Sequence, residues 1–206
     1  RSIWVTGVQT CALPIWAIER TLDGADRVAA IVRAMKEFAY PDAIEQSPAD
    51  LNHALSTTLT VARSEYKQAA SVQTDFGELP PVTCNVGELN QVFLNLIVNA
   101  AHAIQDSGKD ANSGCIAIST RAAGKWVEIA IADNGCGIAP ANLERIFDPF
   151  FTTKTVGRGT GQGLAITRAI VNDKHGGQID VDSTPGVGTR FVVRLPVQGR
   201  KAPEPA

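Results

Sequence analysis

With 206 residues, 44% of them hydrophobic and 19% charged, the chain has material for one ordinary globular core and an appendage. A formal net charge of -2 without any basic run argues against a nucleic-acid partner. The longest apolar stretch, 92–104, is interrupted by Asn95, Asn99 and His102 and is too short to span a bilayer, and no secretory signal is visible.

Residues 5–15, VTGVQTCALPI, have neither helical period nor alternation and resemble the translated sequence of a common sequencing-library adapter. Segment 1–15 is therefore set aside from fold reasoning as an artefact, with the true upstream sequence expected to be missing. From Trp16 onwards Ile18, Leu22, Ala25, Val28, Ile31, Val32, Met35 and Phe38 fall at steps of three and four, predicting an amphipathic helix over 16–40 that Tyr40-Pro41 ends. Residues 41–48 read as a linker.

A continuous domain is expected over 49–197. Its predicted elements are a helix at 51–64, a strand at 69–76, a short edge strand at 82–85 and a long helix at 88–105, apolar on nearly every side and so expected to be buried. Strands at 115–120 and 126–132 join through Ala123-Gly124, and 139–160 reads as a long functional loop. A helix at 164–174 and strands at 178–183 and 189–195 close the domain, and 198–206 reads as a frayed tail. The mixed order predicts an α+β fold, a two-layer sandwich of a mixed β-sheet with helices on one face, preceded by one long helix. Cys11, Cys84, Cys115 and Cys136 show no metal spacing and read as small buried thiols.

Four blocks carry candidate chemistry. Asn95, Asn99 and His102 stand at i, i+4 and i+7, on one face of the long helix. Buried amides need partners: either neighbouring backbone, or a magnesium ion, which takes oxygen ligands and accompanies phosphates. DNGCGI follows a strand, so it reads as a hairpin turn or as a carboxylate, Asp133, placed to accept from an exocyclic amine, with Gly135 and Gly137 allowing close passage to a flat base. FDPFFTTK offers Phe147 and Phe150 as anchors and Lys154 as a point charge within reach of a terminal phosphate. GRGTGQGLAI alternates Gly157, Gly159, Gly161 and Gly163 before a helix; its spacing is neither a Walker loop nor a dinucleotide fingerprint, yet it permits close backbone approach to an anion.

In this order the blocks resemble the N box, first glycine box, F box and second glycine box of the sensor histidine kinase catalytic domain, in the superfamily that also holds gyrase, MutL and heat-shock-chaperone ATPase domains. HGG at 175–177 and STPGVGTRFVVRLP at 183–196 resemble the family's closing strands. The resemblance implies a Bergerat-type fold that binds ATP and Mg2+. It implies Asn99 as metal ligand and Asn95 beside it, His102 or Lys154 near the phosphates, and Asp133 on the adenine amine with Gly135 and Gly137. Gly159, Thr160, Gly161, Gly163 and Leu164 would follow the triphosphate. Gln162 departs from the leucine that many members carry, at a position expected to face solvent. The helix over 16–40, ending MKEFAYP, resembles the second helix of the dimerisation and histidine-phosphotransfer hairpin.

The function implied is transfer of the γ-phosphoryl of Mg-ATP to a histidine, in a cytoplasmic module whose intact parent forms a homodimer and signals to a response-regulator receiver domain, whether or not a membrane anchors that parent. No histidine precedes Glu or Asp: His53 and His102 precede alanine and His175 precedes glycine, so the phospho-acceptor is expected to lie outside this chain. Two alternatives stand beside this one: an ATP hydrolase or conformational clamp of the same superfamily, and a non-catalytic nucleotide-binding module. The related hydrolases carry a glutamate four residues before the magnesium asparagine; Asn95 stands there and cannot serve as a base.

Overall fold

A computed structural model describes residues 46–154 and 161–199. Segment 1–15, the helix expected over 16–40, residues 41–45, Gly157, Gly159, Thr160 and the tail from residue 200 lie outside the described residues.

Helix α1, Leu51–Val61, starts where the Asp50 carboxylate accepts from the backbone N–H groups of Asn52 at 2.9 Å and His53 at 3.1 Å. It breaks at Ala62 into a short α2, Arg63–Tyr66. The central helix α3, Val86–Asp106, opens on Asn85, whose side chain accepts from Glu88 N at 3.1 Å. Leu89, Val92, Phe93, Leu96, Ile97, Ala100, Ala101 and Ile104 form its buried stripe. The helix is not buried all round as its composition suggested: Gln91 is exposed, and Asn95, Asn99 and His102 lie on a half-buried side. That amphipathicity leaves one side of a core helix open for chemistry.

Strands β2 (Ser71–Phe76), β4 (Cys115–Ala123), β5 (Trp126–Asp133), β6 (Gln178–Thr184) and β7 (Gly188–Pro196) form a sheet in the order β2-β4-β5-β7-β6. β2 runs parallel to β4 and every other pair is antiparallel, so the sheet is mixed, as expected. Ile116 and Ile118, Val127, Ile129 and Ile131, and Phe191, Val193 and Leu195 turn one face into the core with the helices. The opposite face is polar: Glu128 takes Arg121 and Arg194 together, and Arg194 also reaches Asp180.

Several local expectations change. The end of the segment read as linker is a strand, β1 (Ser47–Ala49), paired antiparallel with β3 (Val82–Cys84) in a small second sheet. Residues 139–160 are not wholly irregular, for Pro140–Leu143 makes a short helix, α4, started by proline. Helix α5, Gly163–Arg168, continues as a π-helical turn, Ala169–Lys174. Of the expected tail, Gly199 is buried, and a Cβ there would lie 2.7 Å from the Thr83 carbonyl oxygen. Cys84 is buried as expected, but Cys136 is exposed.

Candidate functional site

The site forms where β5 ends against α3. Alternation along β5 points Val127, Ile129 and Ile131 inward, so Asp133 falls on the same face at the end of an apolar row. Its Oδ1 accepts from Gly135 N at 2.8 Å, and the backbone N–H of Thr189 also donates to the carboxylate. Burial raises the Asp133 carboxyl to about 6, against the opposing pull of those two donors and of the Lys109 ammonium.

No hairpin follows Asp133. Asn134 turns the chain away: its Oδ1 accepts from Cys115 N at 2.9 Å and its Nδ2 donates to Ser113 O at 2.9 Å. Gly135 is then pressed on α3, where a Cβ would lie 2.5–2.8 Å from the backbone and side chain of Ala103. Cys136 N donates to Ala103 O at 3.0 Å. Gly137, at φ 71°, passes so near the β6 end that a Cβ would lie 2.3 Å from Thr184 O. Both glycines therefore serve close approach to protein backbone, which aims the Asp133 carboxylate.

Along α3, the Asn95 Nδ2 donates to Gly163 O at 3.2 Å, an oxygen that also accepts from Thr167 Oγ1 at 2.8 Å. Asn95 is thus a clamp between α3 and the start of α5. One turn on, the Lys154 ammonium donates to Asn99 Oδ1 at 3.1 Å and lies 2.9 Å from His102 Nδ1. With a charged lysine as donor, the imidazole nitrogen at Nδ1 is the acceptor. A cation seated between an amide oxygen and a ring nitrogen shows that this pair of side chains accepts positive charge.

The aromatic block departs from expectation. Phe147 packs against the core, but Phe150 is 71% exposed, and Phe151 takes the second anchoring place. The reason is backbone: Phe150 has φ 67°, which turns its side chain outward. Arg168 lies over the Phe147 ring at 5.5 Å and Arg145 over Phe151 at 4.6 Å. Gly161, at φ 65°, approaches Phe150 closely enough that a Cβ would lie 2.4 Å from its carbonyl carbon. The F block and second glycine block therefore meet. Gln162 is exposed as expected and gives α5 no side-chain cap, while Gly163 and Leu164 start that helix beside Asn95. A backbone donor set of this kind suits an anion.

Asn95, Asn99, His102 and Lys154 thus meet along α3, Gly163 lies against Asn95, and the turn through Asp133 and Gly135 reaches the same helix at Ala103, while Gly137 packs on Thr184 and Gly161 on Phe150; Gly159 and Thr160 lie outside the described residues. Sequence reasoning passed over Lys109, which donates to the Asn134 carbonyl, and the bracing role of the Asn134 side chain. It also missed His175, buried with Nδ1 bonded to Ile170 O at 2.9 Å and Nε2 accepting from Asn85 N at 3.1 Å. That histidine ties the π-helical turn after α5 to the α3 start; the sequence showed it only within HGG at 175–177, with no sign of this bracing role. A separate cavity of about 390 Å³, lined by Leu59, Arg63, Tyr66 and Val72 among others, shares no residue with the site. Among the described residues no helix is long and apolar enough to cross a membrane.

A family model described as histidine kinase-, DNA gyrase B-, and HSP90-like ATPase matches residues 84–199. The sensor histidine kinase ZraS of Escherichia coli O157:H7 is 37% identical over 184 residues, covering 87% of this chain and 38% of that protein. The signal transduction histidine-protein kinase AtoS of Escherichia coli strain K12 is 36% identical over 178 residues, covering 84% of this chain and 27% of its own length. The chain therefore spans well under half of either relative. A solved structure of the nucleotide-free catalytic domain of the histidine kinase ThkA is similar with a TM-score of 0.64 and 29% identity, covering 75% of this chain and 97% of that one.

Proposed function

This chain belongs to the histidine kinase-, DNA gyrase B- and HSP90-like ATPase family, and from that premise we propose that it is the ATP-binding catalytic part of a two-component sensor kinase. Membership implies ATP binding. The reaction proposed is transfer of the γ-phosphoryl group to a histidine on a dimerisation hairpin, in an intact protein that dimerises through that hairpin and passes the phosphoryl group to a response-regulator receiver domain.

The observation that carries this reading is the Asn95, Asn99, His102 and Lys154 constellation along α3, with the turn after Asp133 packed on the same helix at Ala103. Asp133 is the acceptor for the adenine amine. The Asn99 oxygen fits Mg2+, because the Lys154 ammonium already takes that oxygen as a cation. Among the described residues no three His, Cys, Asp or Glu side chains form a metal cage. That suits an ion held by one side-chain oxygen together with phosphates and water. Magnesium, when bound, neutralises charge on the triphosphate. Lys154 and His102 would neutralise more of it, and the backbone at Gly161 and Gly163, with Leu164 following, would approach it with no Cβ at the two glycines.

Phosphotransfer is favoured over hydrolysis by Asn95. A carboxamide is not basic enough to take a proton from water, and its Nδ2 is committed as a donor to Gly163 O at 3.2 Å. The test is phosphate release from Mg-ATP by the isolated chain with no acceptor histidine supplied. Release at or near the uncatalysed rate is expected; sustained multi-turnover release would support the hydrolase instead.

A further inference from the structure

The carboxylate assigned to the adenine amine is half-buried at the end of an apolar strand row, where ionisation is disfavoured, yet it must be an anion to accept strongly from an amine. Its surroundings contain little to hold it so. From β7 comes the Thr189 N–H, and from its own turn come the Gly135 N–H and the Cys136 thiol. That thiol, on an exposed residue, is itself pushed up, first by partial desolvation and then by Asp106 and Asp133, and Lys154 acts on it in the other direction. The cation acting on the carboxylate comes from the loop after α3: Lys109, half-buried, its ammonium on the carbonyl of Asn134, the next residue.

The loop is built to keep that lysine in place. The Asp110 carboxylate accepts from Asn112 N at 3.1 Å, Ser113 N at 3.1 Å and Ser113 Oγ at 2.8 Å. Gly114 N closes on Asp110 O at 2.6 Å. Two Asn134 side-chain bonds, to Cys115 N and Ser113 O, then join this turn to the one that carries Asp133. The lysine is tethered on both sides of its target.

Resting on the reading of Asp133 as the adenine acceptor, we propose that Lys109 is a positioning residue: seated on the Asn134 carbonyl, it holds the Asp133 side chain as the anion that receives the adenine amine. Lys109 does not touch the base. It lowers the pH at which the protein releases adenine nucleotides, and it makes the loop between α3 and β4 part of nucleotide affinity.

The experiment titrates a fluorescent ADP, with metal chelated so that Asn99 contributes nothing, across about pH 5 to pH 8, using the full chain. For Lys109→Met the pH midpoint of binding is expected to move up by roughly half to one unit. The affinity deficit is then about 2–6-fold near the native midpoint, approaches about 3–10-fold below it, and shrinks as pH rises. Lys109→Arg is expected to keep the native midpoint. A carbonyl-detected NMR titration of the ligand-free Asp133 carboxyl reads the same shift without nucleotide. Weakening of Lys109→Met by one factor at every pH, or an unmoved Asp133 titration, would overturn the proposal and leave the lysine a tether. Asp133→Asn separates the two readings: native affinity in that variant sinks the adenine assignment itself, whereas lost affinity together with an unmoved Lys109→Met midpoint sinks the role of Lys109 alone.

Discussion

Lys154 places its ammonium 3.1 Å from Asn99 Oδ1, the oxygen assigned to the metal, and 2.9 Å from His102 Nδ1. Mg2+ arriving at that oxygen would stand against the charge of the lysine, so entry of Mg2+ with nucleotide is expected to displace the ammonium. The His102 Nδ1 resonance is therefore expected to change when Mg2+ and a non-hydrolysable ATP analogue are added together, and to stay in place with Mg2+ alone. Nitrogen-detected imidazole NMR measures this; an unchanged ring signal in the full complex would mean that the lysine does not vacate the oxygen.

Asn99→Ala is expected to remove the metal dependence of nucleotide binding and spare the fold, because Asn99 is half-buried at the edge of the core stripe. Nucleotide affinity measured with Mg2+ and with chelator should differ in the native chain and converge in the variant. The loss is roughly 10–100-fold in the presence of metal, the scale of a hydrogen bond or ligand to a charged group.

Asp133→Asn is expected to lose roughly 10–100-fold in adenine-nucleotide affinity and yet raise the stability of the ligand-free chain at neutral pH. Burial disfavours the carboxylate, so between about 4, the usual unfolded value, and about 6 the folded chain binds the more protons. Stability contributed by the neutral acid is thus present below that window, is lost as pH rises through it and stays lost above. The difference is worth roughly 2–3 kcal/mol at pH 7. Urea unfolding at about pH 4 and pH 7 checks it: the native chain should be the less stable of the two at neutral pH, and the gap should close in acid.

Gly135→Ala is expected to lower stability by about 2–4 kcal/mol, because the added methyl meets the Ala103 backbone and cannot be relieved by a side-chain rotation. Thermal melting of ligand-free protein measures this. A melt equal to the native one, with only nucleotide affinity reduced, would return Gly135 to the role of clearing space for the base.

How much of this was legible in the sequence varied with the physics involved. The Asn95, Asn99 and His102 face could be read because helical spacing determines direction, whereas the residues around Asp133 fitted a hairpin equally well and only the family resemblance pointed to the adenine amine. The anchoring pair Phe147 and Phe151 could not be read, since the choice between Phe150 and Phe151 turns on one backbone angle of 67°. β1 was hidden because Ser-Pro-Ala has no strand signature and pairs only through the edge that Val82–Cys84 offers. Lys109 was hidden because the residue it serves lies 25 positions on, across a turn whose path no local pattern describes.

Whether this chain donates a phosphoryl group to histidine is tested most directly by supplying the missing acceptor. The chain is mixed with Mg2+, γ-labelled ATP and the separate dimerisation hairpin of a related sensor kinase bearing its histidine. Acid-labile, base-stable label is expected on the hairpin and none on the chain itself. Label on the chain alone, or phosphate release with an unlabelled hairpin, would contradict the assignment.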